Sequence, residues 1–221
     1  MNAENSEVDP FRKMRLILEL RRAGFTDNRL LNAFERLSRE DFLPTEFAEY
    51  AYDDVALPIA CGQNASRPAA LAEMLTALEL AETRTQVVLE IGTGSGYLTA
   101  LLAHQCKRVY SVERYRTLIE AARKRFEKLA ISNIVTLCAD GQLGWENSGP
   151  FDRIISTCAV EEVPPAWLEQ LKPDGILIVP IGTNEEQKIV RIRNSGSKNF
   201  PSEALGPSNF LHLIEGAAKE L

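Results

Sequence analysis

Short apolar runs alternate with helical stretches from residue 86 onward, and this alternation constrains the fold more than any other feature of the chain. Strands separated by helices indicate parallel pairing with crossover connections. Weaker runs at 187–193 and 210–214 predict two further strands, with an antiparallel edge. We therefore predict an α/β fold, a doubly wound, mostly parallel sheet of seven strands, whose five central strands lie at residues 86–91, 107–112, 134–138, 151–157 and 176–181.

The first 85 residues have a different pattern of apolar residues. Apolar residues at helical spacing predict two helices, separated near Gly24 and with Asp27 as the N-cap of the second. A proline-containing connection at 41–68 leads to a third helix at 68–80. We predict an N-terminal helical and substrate-side extension over residues 1–85, followed by an α/β core over residues 86–221, together forming one compact domain.

Composition narrows the classes of partner. The 221 residues include 31 Asp and Glu against 25 Lys and Arg, a formal net charge of −6. This acidic balance argues against a nucleic-acid partner, because binding to phosphates depends on basic residues. The four cysteines are widely spaced and only two histidines accompany them, so we expect reduced thiols and no metal site. No segment fits a signal peptide or a membrane span, and we expect a cytoplasmic location.

A glycine-rich loop follows the first predicted strand of the core. Gly92, Gly94 and Gly96 stand between that strand and a predicted helix, where free backbone N–H groups meet the positive end of the helix dipole. The dinucleotide fingerprint needs its third glycine one residue later, where Tyr97 stands. The loop also lacks the lysine of a P-loop. It is therefore predicted to bind a ligand other than a pyrophosphate, or to be a tight turn without a ligand.

Two acidic residues follow the next two strands. Glu113 ends the second strand about 20 residues beyond the glycine loop, the distance at which a carboxylate can accept hydrogen bonds from ribose hydroxyls. Asp140 follows the third strand. Since ligands of open α/β sheets bind at the carboxyl ends of the strands, these residues predict a nucleoside site at that edge.

Several motifs in order resemble the class I S-adenosylmethionine-dependent methyltransferases, and more narrowly the protein-L-isoaspartate O-methyltransferase family. The loop at 90–97 (EIGTGSGY) is similar to the first cofactor motif of the methyltransferases. More discriminating similarities lie at 51–68, 140–152 and 168–182. The resemblance covers about residues 37–182, and a weaker similarity is present at 210–214.

The resemblance implies a Rossmann-like class I fold with S-adenosyl-L-methionine as cofactor and S-adenosyl-L-homocysteine as product. It implies a carboxyl methyltransferase that acts on L-isoaspartyl residues in damaged proteins or peptides. Ser66 matches the active-site serine of the family. The cofactor-binding residues implied are Gln63, Asn64, Ala65, Ser66, Glu90, Gly92, Thr93, Gly94, Ser95, Gly96, Glu113, Arg114, Asp140, Gly141 and Gln187.

The acceptor side departs from the family pattern. Asn64 and Ala65 replace the usual Thr-Ile before the serine, and Ala69 replaces an aromatic residue or histidine. A methyltransferase with another small-molecule or peptide acceptor therefore remains an alternative, as does a binding module without catalysis. Ser66 is also a candidate cap for the helix that follows it.

An isoaspartyl carboxylate is ionised at neutral pH, so its methylation needs no general base. Ser66 would orient this carboxylate. Because the chain is acidic overall, a nearby cation such as Arg67 would have to offset the charge.

Overall fold

Three helices and a short hairpin precede the sheet in a computed structural model that describes residues 11–196 and 199–218. The carboxylate of Asp27 caps the second helix as predicted, by accepting the N–H of Arg29 at 2.8 Å. The elements of this part are α1 (Arg12–Arg22), α2 (Asn28–Arg36), β1 (Leu57–Ile59), β2 (Gln63–Ala65) and α3 (Pro68–Ala77).

Seven strands form the main sheet, which confirms the predicted fold class. Their spatial order is β5-β4-β3-β6-β7-β8-β9, parallel from β5 to β7 and antiparallel at β8 and β9. The elements are β3 (Val87–Ile91), α4 (Tyr97–Ala103), β4 (Arg108–Glu113), α5 (Arg116–Lys128), β5 (Ile134–Cys138), β6 (Phe151–Ser156), α6 (Pro165–Glu169), β7 (Leu171–Gly182), β8 (Gln187–Arg193) and β9 (Ser202–Pro207).

The order of the strands reverses beside β3. From β3 the chain continues to β4 on one side, whereas from β6, the neighbour of β3 on the other side, it continues to β7. The connections that leave the carboxyl ends of β3 and β6 therefore diverge. This divergence opens a crevice between the two strand ends, where open α/β sheets bind their ligands.

The N-terminal helices cover one face of the sheet. Leu16 and Phe34, from the helices, belong to the same buried apolar cluster as Val88 and Ile155, from the sheet. Burial of such side chains is the main favourable term in folding. No helix in the described part of the chain is long and apolar enough to cross a membrane.

Three local features of the structure differ from the prediction. The last strand lies at Ser202–Pro207, and the predicted strand at 210–214 was wrong, because that segment makes only an isolated bridge between His212 and Ala159. The edge strand β9 was missed since it is mostly exposed and lacks apolar alternation. The β1–β2 hairpin was also missed, because its strands have three residues each.

Candidate active site

The glycine loop turns the chain from β3 into α4 beside the end of β6. Gly92, Gly94 and Gly96 all have positive φ values, of 92°, 52° and 86°. A Cβ on Gly92 would stand 2.7 Å from the hydroxyl of Thr157, and this hydroxyl donates to the Gly92 carbonyl at 3.1 Å. Only a glycine allows this approach of the two strand ends.

Glu113 joins the end of β4 to the glycine loop. Its carboxylate accepts the N–H of Gly94 at 2.9 Å and the N–H of Tyr115 at 3.1 Å. Burial raises the pKa of Glu113, and the two N–H groups oppose this effect by stabilising the ionised form. The carboxylate is therefore fixed in position at the edge of the sheet.

A cavity of about 590 Å³ lies at this edge. Its volume is within the usual range for small-molecule sites, roughly 300–1,000 Å³. One wall comes from the glycine loop and the ends of β4 and β6, and the opposite wall from the β1–β2 hairpin and the start of α3. The predicted site residues that line it are Gln63, Asn64, Ser66, Gly92, Gly94, Glu113, Arg114 and Gly141.

Glu90 lies behind the cavity wall and does not line it. Its side chain is fully buried, and one carboxyl oxygen accepts the hydroxyls of Thr99 and Ser111, each at 2.6 Å. The Ser111 hydroxyl is also 2.6 Å from that of Thr93. Burial raises the pKa of Glu90 to about 8. The carboxyl group is therefore largely protonated at neutral pH, and it connects the glycine loop to α4 and β4.

Four more predicted site residues are also outside the lining of the cavity. Thr93 and Ser95 are buried, and the Ser95 carbonyl accepts a hydrogen bond from Arg125. Gly96 packs against Phe126 so closely that a Cβ would be 2.8 Å from the ring. Ala65 is buried in the core. In the structure these residues shape the loop and hairpin.

The segment at 207–216, here called the strap, crosses the carboxyl edge of the sheet and covers the cavity. Its residues from Pro207 to Ile214 line the cavity. Gln187 is buried and holds the first part of the strap: its amide oxygen accepts from the Phe210 N–H at 2.7 Å and the Ser208 hydroxyl at 3.0 Å, and its amide nitrogen donates to the Phe210 carbonyl at 3.1 Å. Gln187 thus acts on the cavity through the strap.

Other contacts hold the middle and the end of the strap. Backbone hydrogen bonds join Ala159 to the strap residues Leu211 and Leu213. Gly216 donates its N–H to the carboxylate of Asp140 at 2.9 Å and accepts from the guanidinium of Arg114 at 3.2 Å. Asp140 and Arg114 were predicted as cofactor ligands; Arg114 lines the cavity and Asp140 does not, and in the structure both fix the end of the strap.

Arg39 organises the side of the cavity that carries Ser66. Its side chain is fully buried, and its guanidinium donates to five backbone carbonyls. Burial lowers the pKa of Arg39, and the nearby Tyr97, Asp54 and Asp53 oppose this effect. The carbonyls belong to Ala51, Asp53, Val55, Ala65 and Ser66. One planar guanidinium thus joins two separate stretches, 51–55 and 65–66, of the loop that carries Ser66.

Ser66 lines the cavity and does not cap α3. The N-cap residue of α3 is Arg67, which makes no side-chain capping bond. Asp54 takes this role instead, because its carboxylate accepts the N–H of Ala69 at 2.8 Å. The alternative interpretation of Ser66 as a helix cap is therefore wrong.

Several residues of the cavity were not among those predicted. Thr157 and Cys158 follow β6 and line it, as does His212 from the strap. Burial raises the pKa of Cys158 to about 12, so its thiol remains protonated and contributes a small, weakly polar surface. Across residues 11–196 and 199–218, no group of three His, Cys, Asp or Glu side chains could hold a metal ion.

The fold and the position of the cavity define a class I methyltransferase domain. A solved protein-L-isoaspartate O-methyltransferase superposes on the chain with a TM-score of 0.80 and 29% sequence identity, over 90% of this chain and 65% of the other. A second solved structure, from Plasmodium falciparum and in complex with S-adenosyl-L-homocysteine, has the same fold, with a TM-score of 0.79 and 23% identity over 92% of this chain and 98% of its own.

The family follows from the sequence comparisons. The model of the family described as Protein-L-isoaspartate(D-aspartate) O-methyltransferase (PCMT) matches residues 11–218. A protein-L-isoaspartate O-methyltransferase of Parvibaculum lavamentivorans is 46% identical over the full length of both chains, and one of Maricaulis maris is 46% identical over 96% of this chain and 98% of its own. The chain belongs to the protein-L-isoaspartate O-methyltransferase family.

The substitution Glu90→Gln is expected to change how stability depends on pH. The folded chain holds the Glu90 proton up to about pH 8, whereas the ordinary pKa of the group is 4.5. Between these values the unfolded state binds fewer protons, so the wild-type free energy of unfolding falls as pH rises, by at most about 1.4 kcal/mol per pH unit. Glu90→Gln lacks this proton. Its free energy of unfolding should therefore rise relative to that of the wild type as the pH increases to about 8, and the difference should stay constant above that pH.

Urea unfolding curves measured across this pH range check the expectation. Glu120→Gln, on the exposed face of α5, is the control and should follow the wild type. If the stability of Glu90→Gln has the same pH dependence as that of the wild type, Glu90 does not hold a proton in the folded chain over this range.

The substitution Arg39→Lys is expected to destabilise the chain by about 2–4 kcal/mol, although it keeps the charge. One ammonium group cannot reach carbonyls in both stretches of the loop, so buried acceptors lose their partners. Hydrogen exchange should become faster at 51–66 and remain slow in β3 and β6. Arg36→Lys, at an exposed site on α2, is the matched control. Equal stability and equal exchange of the two variants would show that Arg39 does not organise this loop.

Proposed function

We propose that the cavity binds S-adenosyl-L-methionine and that the chain methylates the free carboxylate of L-isoaspartyl residues in damaged proteins or peptides. One observation carries the proposal: a single cavity, in a chain that matches this family along its length, joins the glycine loop and Glu113 to Ser66. The cofactor and the acceptor would therefore meet inside one covered space.

The residues at the sheet edge fit a nucleoside without a phosphate. The lining includes the carboxylate of Glu113, which can accept hydrogen bonds from ribose hydroxyls. Glycines at 92 and 94 allow a ligand to approach the backbone closely. Gly141, held by a hydrogen bond from the buried Trp167 to its carbonyl, lines the part that we assign to adenine, with Asp140 behind it.

The acceptor end is assigned to the hairpin and the start of α3. In this assignment Ser66 donates a hydrogen bond to the isoaspartyl carboxylate and orients it. Gln63 and Asn64 cover the space between the acceptor and the glycine loop. The strap, positioned by Gln187, excludes water from the opposite side, and so limits hydrolysis and solvation of the reacting groups.

S-adenosyl-L-methionine, when bound, supplies a methyl group attached to a positively charged sulfur. The acceptor carboxylate is already ionised at neutral pH, so no residue of the chain has to remove a proton from it. The contribution of the chain is to hold the carboxylate oxygen about 3 Å from the methyl carbon and in line with the bond that breaks. This agrees with a cavity whose lining offers Ser66 as an orienting hydroxyl.

The expected partners and location belong to the same proposal. Proteins and peptides are the substrates, whereas the net charge of −6 disfavours nucleic acid. A cytoplasmic location is supported by the four cysteines, all unpaired in the structure, as is usual under reducing conditions.

Asn64, which replaces the usual threonine of the family, supports the alternative of a methyltransferase with another small-molecule or peptide acceptor. Its side chain is exposed and lines the cavity, so it could contact an acceptor other than an isoaspartyl peptide. The experiment below separates the two possibilities.

Labelled S-adenosyl-L-methionine, offered with an isoaspartyl peptide and with its normal aspartyl twin, tests the proposal. We expect label on the isoaspartyl peptide alone. Ser66→Ala should reduce kcat/KM by about 10-fold to 100-fold, because a hydrogen bond to a charged group is lost. Ser132→Ala, at an exposed position before β5 at the other edge of the sheet, is the control. Equal labelling of both peptides, or none of either, would overturn the proposed substrate.

A further inference from the structure

Arg67 lies at the mouth of the cavity, directly after Ser66. Its side chain is 49% exposed and lines the cavity. Within the described part of the chain, its guanidinium makes one hydrogen bond, to the carboxylate of Asp54 at 2.9 Å. Since half of the side chain is exposed, its remaining N–H donors can reach a ligand, and a planar guanidinium is well suited to bind a second carboxylate.

Asp54 neutralises Arg67 only in part. The other oxygen of its carboxylate accepts the N–H of Ala69, in the first turn of α3. The charge of Asp54 is thus shared between Arg67 and the positive end of the helix. An exposed ion pair of this kind contributes little stability, so a carboxylate from a ligand can replace or join Asp54 at low cost.

The other charged groups near Arg67 lie outside the cavity or are engaged elsewhere. Glu73, on α3, does not line the cavity; burial raises its pKa, and the positive charge of Arg67 opposes this effect. Among the described residues that line the cavity, the other charged side chains are Glu113 and Arg114, and both are engaged at the glycine loop and the strap. Arg39 contacts the Ser66 carbonyl from the buried side and does not line the cavity, so Arg67 is the cation next to Ser66 in the described part of the cavity lining.

We propose that Arg67 is a specificity-determining residue, which favours isoaspartyl peptides with an acidic side chain next to the methylated residue. This inference rests on the proposed function. The isoaspartyl carboxylate would contact Ser66 inside the cavity, and the neighbouring carboxylate of the peptide would bind the Arg67 guanidinium at the mouth, in exchange for Asp54 or beside it.

Three isoaspartyl peptides that differ only in the adjacent residue, Glu, Gln or Lys, test the inference. We expect kcat/KM to fall in that order, by about threefold to fivefold in total at low salt. The change should appear in KM, because the contact binds the peptide and does not touch the reacting atoms. High salt should reduce the difference, because the contact is exposed. In Arg67→Gln the three values should converge, and in Arg67→Lys the order should return.

Arg116→Gln is the matched control, since it removes the same charge at an exposed position of α5. It should keep the wild-type order. Urea unfolding of Arg67→Gln shows that the variant is folded.

Equal kcat/KM values of the wild type for the three peptides would overturn the inference and leave the proposed function intact. A retained order in Arg67→Gln would overturn it as well, because the preference would then come from other charges. Methylation of none of the peptides would overturn the proposed function together with the inference.

Discussion

Parallel pairing of β3 with both β4 and β6 is the constraint on which the site depends. It brings three strand ends to one edge, and the reversal of strand order opens the crevice between β3 and β6. Gly92 is required there because Thr157 leaves no room for a Cβ. The hydrogen bond from Gly94 to Glu113 then fixes the glycine loop against β4. The cavity is thus a consequence of topology, refined by close contacts at two glycines.

Two sets of contacts close this crevice. Arg39 holds the loop at 51–66 from inside the protein by binding five of its backbone carbonyls, and the strap covers the cavity. Asp140, Arg114 and Gln187 were all predicted as cofactor ligands, and in the structure each holds the strap. Loss of one such contact should therefore act on the binding of both cofactor and acceptor, because in the proposed function both would occupy the cavity that the strap covers.

The sequence was sufficient for the five central strands of the sheet and for β8, and eight of the fifteen predicted cofactor-binding residues line the cavity. Buried parallel strands are short, nearly continuous apolar runs, which are distinct from the longer helical segments between them, and the glycine loop has a distinctive spacing. The edge strand β9 could not be assigned, since an exposed strand need not be apolar. The strap was mistaken for a strand, because its segment at 210–214 is apolar although it lines a cavity and is not part of the sheet. Arg39 gave no signal, because a buried arginine and a surface arginine look alike in a sequence. Glu90 had the motif position of a ligand but binds Thr99 and Ser111 behind the wall.

The most direct measurement is a crystal structure of the chain with S-adenosyl-L-homocysteine and an isoaspartyl peptide. We expect the ribose on Glu113 and the free carboxylate of the peptide on Ser66, with a carboxylate oxygen within about 5 Å of the sulfur, which leaves space for a methyl carbon about 3 Å from that oxygen. A nucleoside bound outside the cavity under the strap, or a carboxylate held away from Ser66, would contradict the proposed site.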